Sequence, residues 1–454
     1  YRVEMLPLML RQAATTMVTG RPGPVNLDVP FNLFQEEADV EVPHSSAVTI
    51  SKRSGASRED ITSAVDMLLS AKRPLIFIGH GVTLSEAGRE LTNLSETLNI
   101  PVVSSPNGMG CLDMRSERSV GFIGRNGSYP ANQAGRHCDL LLAIGARFDD
   151  RSSSSWLPGY SWNIPNTKLV HVDVDVAEIG RNYPVDLGIV ADARTFLRQV
   201  LAEVESRGKT RTDQSQVWMT QIQGWRHEWE KFTKPNFSLA TSPMRPERVV
   251  GDIRKVLPTD SIISLDSGVH HNWFMQFWEA HLPQTMLNAW GYSAMGFGVS
   301  GILGAKLAAP DKPCVSICGD GGFTMTPHVL CTAVEYDIPA VWVVWNNFAW
   351  GAIRDIQYGL FEGRELGTAF YQGENREPYN PDFAAMARSC GVQASTITQS
   401  NDFAPALEHA IKQNRPYLLD VHVDSDVRPP ATGSWELPPI SPKEPVFGRP
   451  YTPD

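Results

Sequence analysis

Two short stretches of the sequence decide the fold: CVSICGDGG at residues 314–322 and VWVVWNN at residues 341–347. Each begins with an uninterrupted apolar run of strand length and ends in small or polar residues. Strands that are apolar on both faces are typical of a parallel sheet covered by helices on both sides. Because ligands bind beyond the carboxyl ends of such strands, we expect the two polar ends to open onto one crevice.

The polar ends of these strands carry groups that suit a diphosphate and a divalent cation. Gly319, Gly321 and Gly322 would let the backbone approach phosphate oxygens closely. Asp320 supplies a carboxylate and Asn347 a side-chain carbonyl, and Mg²⁺ prefers oxygen ligands of this kind. Either stretch alone is typical of an ordinary turn or strand end. The occurrence of both favours a diphosphate–magnesium site.

Outward from these strands, the apolar periodicity predicts two α/β units, each a doubly wound parallel sheet. Amphipathic helices are predicted at Arg58–Ser70 and Leu84–Leu98, and a further helix within Tyr1–Val18. The predicted strands are Val25–Pro30, Leu75–Ile78, Val102–Ser104, Asp139–Ile144, Lys168–Val174, Ser261–Leu265, Cys314–Cys318, Val341–Trp345 and Tyr417–Val423. The predicted units are 1–45, a central domain at 46–205, a helical connector at 206–245, a diphosphate-binding domain at 246–430, and a proline-rich extended tail at 431–454. The acidic, serine-rich segment Glu36–Ser57 is predicted to be a linker.

The composition indicates a globular protein of several domains. Of the 454 residues, 42% are hydrophobic and 20% are charged. The net charge of −10, without a basic stripe, argues against a nucleic-acid partner, and no apolar run approaches the roughly 20 residues that span a bilayer. The six cysteines form no CxxC pair and are predicted to be small buried thiols. We therefore expect a reducing, cytoplasmic environment.

The sequence resembles a known enzyme family over nearly its whole length. The GDG at 319–321 and the NN at 346–347 resemble the GDG…NN motif of thiamin-diphosphate enzymes. Three further stretches match acetohydroxyacid synthase (acetolactate synthase): TGRPGPV at 19–25, GARFDDR at 145–151 and AMGFG at 294–298. The resemblance implies PYR, central and PP domains, of which the chain holds the C-terminal end of PYR. It also implies a homodimer or homotetramer with active sites between PYR of one chain and PP of another.

The resemblance further implies a reaction and its cofactors. These enzymes decarboxylate a 2-keto acid such as pyruvate and transfer the two-carbon unit to a second carbonyl, in branched-chain amino acid biosynthesis. They use thiamin diphosphate and Mg²⁺ and carry a structural FAD. The glutamate that activates thiamin diphosphate in the family lies early in the PYR domain, before the position that matches Tyr1. We therefore expect this chain alone to be inactive on pyruvate.

Residue by residue, the resemblance implies magnesium ligands at Asp320, Asn347 and the backbone carbonyl of Ala349. Met295 is implied to wedge between the two rings of the cofactor, and Arg151 to bind the carboxylate of the second keto acid; these two are the predicted catalytic residues. The predicted contacts to thiamin diphosphate are Val269, His270, Ser293, Met295, Gly319, Asp320, Gly321, Gly322 and Asn347. The predicted contacts to FAD are Arg21, Gly79, Gly81, Gly124, Gly145, Arg147, Asp149, Asp173 and Asp192.

The predicted acceptor pocket departs from the synthase pattern. It contains Arg151, Trp350 and Ile356, and the synthase has a tryptophan where this chain has Ile356. The WGA at 350–352 looks more like sulfoacetaldehyde acetyltransferase. Two alternatives to the synthase therefore stay open: a thiamin-diphosphate acyltransferase or C–C lyase of that kind, and a non-catalytic fragment that binds FAD or a diphosphate.

Several other polar groups have simpler interpretations. His270 and His271 lack the spaced cysteine or histidine partners of a zinc site, which we reject. Asp149 and Asp150 need not converge on one substrate, and His227 is typical of a solvated helix face. Two functional predictions have structural alternatives, because Arg151 could belong to a salt-bridged loop and Met295 to an ordinary core.

Overall fold

The computed structural model describes residues 2–41, 53–156, 159–208 and 213–430. Helices and mostly parallel strands alternate through these ranges. The helices are α1 (Leu6–Val18), α2 (Arg58–Ser70), α3 (His80–Leu84), α4 (Gly88–Leu98), α5 (Tyr129–His137), α6 (Ala193–Ser206), α7 (Asp213–Thr233), α8 (Pro246–Val256), α9 (Val269–Phe277), α10 (Phe297–Ala308), α11 (Asp320–Phe323), α12 (Val329–Glu335), α13 (Gly351–Leu360), α14 (Phe383–Ser389) and α15 (Ser400–Lys412). The strands are β1 (Pro74–Ile78), β2 (Val102–Ser104), β3 (Ser119–Phe122), β4 (Leu140–Ile144), β5 (Lys168–Asp173), β6 (Leu187–Val190), β7 (Ile262–Leu265), β8 (Met286–Asn288), β9 (Cys314–Gly319), β10 (Val341–Asn346), β11 (Tyr371–Gln372), β12 (Glu377–Pro378), β13 (Gln393–Ile397) and β14 (Tyr417–His422).

The first sheet is parallel throughout and has the strand order β3-β2-β1-β4-β5-β6. Its apolar residues alternate between two covered faces. Ile76 and Ile78 of β1 pack against α2, α4 and α6, whereas Leu75 and Phe77 pack against α5 and α7. The chain builds one half of the sheet outward from β1 and the other outward from β4. A crevice therefore opens between the carboxyl ends of β1 and β4.

The second sheet is also parallel and has the order β13-β14-β10-β9-β7-β8. Helices α8, α9 and α15 cover one face, and α10, α12 and α14 cover the other. Gly319 at the end of β9 lies opposite Trp345 near the end of β10, so the loops that follow these strands are neighbours. The chain changes direction in the sheet between β7 and β9, which opens a second crevice beside the same loops.

The two sheets are joined by apolar and polar contacts. Met109 and Phe122 from the first sheet's unit share a buried cluster with Trp273 and Phe274 of α9. The Asn126 side chain lies nearby. Its Nδ2 donates to Oδ1 of an asparagine on α9, Asn272, over 2.9 Å. These contacts bring the carboxyl ends of the first sheet towards the thiamin-motif loops of the second.

Most predicted elements are present, but two predictions are wrong. The residues of the predicted strand Val25–Pro30 form no strand in the described range 2–41; most are exposed, and they have no neighbouring strand to pair with. The predicted helix Leu84–Leu98 begins later, as α4 at Gly88, and Leu84 ends the separate helix α3. Glu86 between them has a φ of 54°, which ends the helical path.

Further differences concern elements that the sequence patterns did not reveal. Strands β3, β6, β8, β11, β12 and β13 were not predicted. The connector at 206–245 does contain a helix, α7, which packs against α5. The predicted linker Glu36–Ser57 is non-helical coil at 36–41 and 53–57, and its residues 42–52 lie outside the described residues. The predicted extended tail lies outside them from residue 431.

The prediction that all six cysteines are buried is wrong for two of them. Cys331 is exposed because the apolar side of the short helix α12 faces inward through Val329, Leu330 and Ala333. Cys390 is half-buried at the C-terminal end of α14. The other cysteines are buried, and all six are free thiols. Within the described ranges, none of the helices combines the length and apolar character that crossing a membrane would require.

Candidate active site

Asp320 lies directly after β9 and is almost completely buried. Its Oδ1 accepts the Gly321 N–H at 2.8 Å, and its Oδ2 accepts the Ala349 N–H at 3.2 Å. The second contact joins the β9 loop to the β10 loop, so the two stretches that decide the fold meet at this carboxylate. Burial raises the pKa of Asp320 to about 6, against the effect of the N–H donors. A cation beside it would offset the cost of burying the charge.

The two asparagines that end β10 have different surroundings. Asn346 is buried, and its Nδ2 donates to Oδ1 of Asp420 on β14 at 2.9 Å. Asn347 is also buried, and a Cβ on Gly351 would lie 2.7 Å from its Nδ2. Gly351 therefore leaves room for this amide at the start of α13. Asn346 is held by the sheet, which leaves Asn347 as the candidate ligand of the pair.

Asn380 belongs to the same cluster, although the sequence analysis did not identify it. It lies between β12 and α14, and its Nδ2 donates to Asp320 Oδ2 at 2.9 Å and to Asn346 Oδ1 at 2.7 Å. It is 60 residues away from Asp320 in sequence. No local pattern connects the two, apart from the helix-start signal Pro381-Asp382 that follows Asn380.

His270 approaches the same loops from β7, the strand next to β9. It lies in the first turn of α9 together with Val269, and a Cβ on Gly319 would be 3.7 Å from its ring. Its Nε2 is buried and has no hydrogen-bond partner among the described residues. Burial lowers the pKa of His270 to about 4. A buried ring nitrogen of this kind suits a polar ligand in the crevice.

Asp266 is a second buried carboxylate that the sequence analysis missed. It follows β7, and its Oδ1 accepts the Gly298 N–H at 3.1 Å. A Cβ on Gly322 would lie 2.2 Å from its Oδ2, so the GDGG loop passes directly over it. Asp266 thereby joins the end of β7, the GDGG loop and the start of α10. The rule that selected Asp320, a polar residue at the end of an apolar strand, would also have selected Asp266.

The turn before α10 presents Met295 at the rim of the crevice. Ser293 has a φ of 53° and Gly296 a φ of 86°, and the Ser293 Oγ donates to Ser267 Oγ at 3.1 Å. Met295 is 38% exposed. It is therefore not an ordinary core methionine, and the structural alternative for this residue is wrong.

A cavity of about 550 Å³ lies at the carboxyl ends of the first sheet, between β1 and β4. Gly79 and Gly145 meet so closely that a Cβ on Gly79 would lie 2.0 Å from the Gly145 carbonyl oxygen. Gly145 has a φ of 56°, which side chains rarely adopt. The predicted FAD contacts that line this cavity are Arg21, Gly79, Gly81, Gly145, Arg147, Asp149, Asp173 and Asp192.

Gly124 is the predicted FAD contact that does not line the cavity. Its φ is 123°, and a Cβ there would lie 2.0 Å from the Arg151 carbonyl oxygen. Gly124 therefore packs behind the Arg151 loop, and its closeness to that backbone explains why a glycine is needed there. The structure does not place it with the other predicted FAD contacts.

The cavity lining combines charged groups with backbone. Arg21 pairs with Glu178 at 3.0 Å across the opening. Asp173 ends β5, and burial raises the pKa of its carboxyl group. Asp192 caps α6 by accepting the Thr195 N–H at 3.0 Å, so part of its hydrogen-bonding capacity serves the helix.

Comparisons with known proteins assign the chain to a family. The family model described as "Thiamine pyrophosphate enzyme, central domain" matches residues 61–200, and "Thiamine pyrophosphate enzyme, C-terminal TPP binding domain" matches residues 266–421. A "Probable acetolactate synthase large subunit" of Methanocaldococcus jannaschii is 34% identical over 431 residues, which cover 93% of this chain and 70% of that protein. The chain belongs to the acetolactate synthase large-subunit family.

Two further relatives show the breadth of this family. The acetolactate synthase large subunit of Corynebacterium glutamicum is 32% identical over 93% of this chain and 66% of its own length. A "Putative thiamine pyrophosphate-containing protein" of Bacillus subtilis, YdaP, is 29% identical over 95% of this chain and 70% of its own length. The predicted family, the α/β fold class and thiamin-diphosphate-dependent carboligation of the acetolactate synthase type are confirmed by these matches.

In this acetolactate synthase family member, Arg151 lies between the two sheets. Its guanidinium is 4.6 Å from the ring centroid of Trp290, and the His271 ring meets the same indole edge-on at 4.2 Å. The neighbouring Asp150 pairs with Arg125. The contact that distinguishes Arg151 is the one to Trp290. Burial lowers the pKa of Arg151 to about 10, which leaves it cationic at neutral pH. Sequence reasoning missed the role of Trp290, which also lines the cavity.

The remaining residues of the predicted acceptor pocket lie directly before α13 and on it. Trp350 precedes the helix and is 42% exposed, and a Cβ on Gly321 would lie 2.2 Å from its indole. Ile356 is half-buried on the second turn. The structure thus brings Trp350 against the GDGG loop. It places Ile356 on the same helix, and the pocket that the two residues would form stays a prediction.

Proposed function

We propose that Asp320, Asn347 and the backbone carbonyl of Ala349 hold Mg²⁺, which in turn holds the diphosphate of thiamin diphosphate. The observation that carries this proposal is the meeting of the β9 and β10 loops at the Asp320 carboxylate. A carboxylate, an amide and a main-chain carbonyl are the hard oxygen ligands that Mg²⁺ prefers. The buried Nε2 of His270 beside Gly319 supplies a polar contact for the diphosphate.

Backbone from Gly319, Gly321 and Gly322 would complete the diphosphate cradle. A side chain at Gly321 would collide with Trp350, and one at Gly322 would collide with Asp266. The loop can therefore stay close to both neighbours only as glycine. Met295, exposed at the rim, is proposed to separate the two rings of the cofactor, with Val269 and Ser293 contributing neighbouring contacts. When bound, thiamin diphosphate supplies the nucleophilic carbon and the electron sink for decarboxylation.

The proposed reaction is decarboxylation of a 2-keto acid and transfer of its two-carbon unit to a second carbonyl compound. Arg151 would bind the carboxylate of the acceptor, because its guanidinium is cationic, largely shielded from water and held against Trp290. Trp350 and Ile356 would shape the space around the acceptor. The side chains at the crevice would also exclude water from the reacting atoms.

We also propose that the cavity of the first sheet binds FAD. It lies where doubly wound sheets bind dinucleotides, at the point where the strand order reverses. The close packing of Gly79, Gly81 and Gly145 leaves the strand ends open to a pyrophosphate. Arg147 and Arg21 supply cations in the lining, and Asp173, which also lines the cavity, would accept from a ribose hydroxyl. Asp149 and Asp192 complete the proposed contacts.

The remaining proposals concern assembly, location and domain limits. We propose a homodimer or homotetramer, supported by the apolar side chains Tyr292, Met295 and Phe297, which are exposed beside the crevice. Six free thiols support a cytoplasmic location. The boundaries 1–45, 46–205, 206–245, 246–430 and 431–454 stay predictions.

The site is tested by titrating thiamin diphosphate into the protein in Mg²⁺ buffer, with calorimetric detection. Asp320→Ala is expected to abolish measurable binding and to leave the folded state intact, because it removes one hard ligand without filling space. Asp311→Ala, which changes an exposed aspartate on the loop before β9, is the matched control. Unchanged affinity in Asp320→Ala would show that the cofactor binds elsewhere.

A thiamin-diphosphate acyltransferase is the second candidate function. It is favoured by Trp350-Gly351-Ala352, where the indole covers Gly321, and by Ile356 in place of the synthase tryptophan. Ile356→Trp should shift acceptor preference towards 2-ketobutyrate over pyruvate if the acceptor is a keto acid. A competition assay scored by product ratio tests this. An unchanged ratio, with phosphate or an aldehyde supporting turnover, would favour the acyltransferase.

A further inference from the structure

Asn380 connects the candidate metal ligand to the interior of the second sheet. Both hydrogens of its side-chain amide are used, one at Asp320 Oδ2 (2.9 Å) and one at Asn346 Oδ1 (2.7 Å). Asn346 in turn donates from Nδ2 to Asp420 Oδ1 at 2.9 Å. A continuous chain of hydrogen bonds therefore runs from Asp320 through two asparagines to a carboxylate on β14.

The direction of every bond in this chain is fixed by its ends. Ionised Asp320 and Asp420 can only accept, so the NH₂ group of Asn380 must face Asp320 and that of Asn346 must face Asp420. The carbonyl oxygen of Asn346 is then the one acceptor that faces Asn380. Because no amide can be flipped without losing two hydrogen bonds, the chain holds each side chain in one orientation.

The backbone around Asn380 is also held in place. Pro381 restricts the conformation of the residue before it, and Asp382 caps α14 by accepting the Ala385 N–H at 2.8 Å. Helix α14 is anchored in the core through Phe383. Asn380 therefore lies just before a helix whose first residues are held by a cap and by the core.

The hydrogen bonds at Asp320 are distributed unequally between its two oxygens. A carboxylate oxygen has about two lone-pair directions. Oδ2 accepts from Ala349 and Asn380, so both of its directions are filled, whereas Oδ1 accepts from Gly321. The Phe348 backbone N–H adds a further donor to this carboxylate, and the Asn380 amide is the side-chain donor that holds Oδ2.

We infer that Asn380 is a positioning residue: its amide holds Oδ2 of Asp320 and so fixes the orientation that the carboxylate presents to the cation. This inference rests on the proposed function, which makes Asp320 a metal ligand. Residues that orient metal ligands typically change metal affinity by about 10- to 100-fold when they are replaced. Asn380 therefore belongs to the metal site although it does not touch the metal.

The test compares metal binding by Asn380→Ala and Asn380→Asp, measured by Mn²⁺ titration with electron paramagnetic resonance in the presence of thiamin diphosphate. Asn380→Ala should weaken Mn²⁺ binding about tenfold or more, because Asp320 can rotate. Asn380→Asp keeps the shape but turns the donor into an acceptor facing a carboxylate, so it should weaken binding at least as much. Asn375→Ala, which changes an exposed asparagine between β11 and β12, is the matched control.

Thermal unfolding of the metal-free variants separates positioning from folding. If Asn380 positions Asp320, both variants bind Mn²⁺ more weakly than the parent protein. At least one of them should keep the parent's unfolding temperature. Mn²⁺ affinities equal to that of Asn375→Ala would overturn the inference. If Asp320→Ala also bound Mn²⁺ and thiamin diphosphate normally, the proposed function itself would fail; if Asp320→Ala lost binding while both Asn380 variants kept it, only the role of Asn380 would be refuted.

Discussion

The residues of the candidate site are polar groups that the fold buries and orients on its own. Asp320, Asp266 and His270 are almost fully buried, and the charge of each is disfavoured there by burial. The backbone N–H groups that the two aspartates accept come from the loops after β9 and β10 and from the start of α10. The free-energy cost of burying these groups is offset by the rest of the fold. Such groups are common at sites where a ligand supplies the missing hydrogen-bond partner.

Arg151 gives a prediction for the acceptor step. Arg151→Ala should slow carboligation by roughly 100-fold and decarboxylation much less, because losing one partner of a desolvated charge pair costs several kcal/mol and the first half-reaction needs no second anion. Arg115→Ala is the control, since its side chain is 59% exposed and pairs with Asp113. Equal slowing of CO₂ release and product formation in Arg151→Ala would contradict the assignment.

His270 gives a prediction for the pH dependence of stability. Burial lowers its pKa from 6.5 to about 4, so between these values the unfolded chain binds a proton that the folded chain does not. Its stabilising contribution is therefore complete above pH 6.5 and is lost as the pH falls towards 4. Between pH 7 and pH 5 this loss amounts to about 2 kcal/mol.

The measurement is urea unfolding of the metal-free protein at pH 7 and pH 5, followed by tryptophan fluorescence. His270→Asn should lose about 2 kcal/mol less than the parent between the two pH values. His271, whose pKa is lowered by burial and by the charge of His270, remains in both proteins, so its burial contribution is common to the two. The same pH dependence in parent and variant would show that His270 is protonated in the folded state.

The residues predicted from sequence are those that follow a recognisable local pattern. Asp320 and Asn347 each end a run of apolar residues, and Arg151 ends a seven-residue match to the family. Asn380 and Trp290 have no such pattern. Their contacts, to Asp320 and to Arg151, exist only because the sheets bring distant segments together.

At the scale of elements, α13 follows Trp350, carries Ile356 and is anchored in part by one buried arginine. Arg354 is buried on this helix, and its guanidinium contacts Glu365 at 2.6 Å, Asp426 at 3.2 Å and the Ser425 carbonyl oxygen at 3.1 Å. It therefore ties α13 to the loop that follows it and to the segment after β14. The rest of the helix exposes apolar side chains such as Ile353 and Leu360.

Arg354→Ala should loosen α13 while leaving the sheets folded. Without the guanidinium, the largely shielded Glu365 carboxylate loses its shortest ion pair. We expect amide hydrogens of α13 to exchange roughly tenfold faster, measured by mass spectrometry, with unchanged exchange in β9 and β10. Arg364→Ala, at an exposed arginine in the following loop, is the control. Unchanged exchange in α13 would show that the helix does not depend on Arg354.

Secondary structure was predictable where apolar residues form long, regular runs. Helix α2 has the predicted limits, and the predicted strands of the two sheets differ from the observed ones by at most one residue. Strands β3 and β6 are four residues long and contain Gly121 and Gly188, so their apolar signal is too short. The break before α4 has no local signal at Glu86, because a positive φ at a glutamate cannot be recognised from sequence. The strand predicted at Val25–Pro30 rests on residue type alone.

At the scale of the whole molecule, the two parallel sheets place two proposed cofactor sites close together. Trp290, which follows β8 of the second sheet, lines the cavity of the first sheet and carries Arg151 on its ring. The proposed FAD site and the proposed acceptor-binding residue Arg151 therefore share one indole. This arrangement depends on the joined core around Phe122 and Trp273, which no local sequence pattern reveals.

The most direct test of the account is a crystal structure of the protein grown with thiamin diphosphate and Mn²⁺, with anomalous data collected at the manganese edge. With the proposed metal site, we predict one anomalous peak about 2.1 Å from oxygen atoms of Asp320, Asn347 and Ala349. We also predict diphosphate density against His270 and the GDGG loop. An anomalous peak bound elsewhere, or thiamin diphosphate bound without contact to Asp320 and Asn347, would contradict the proposed site.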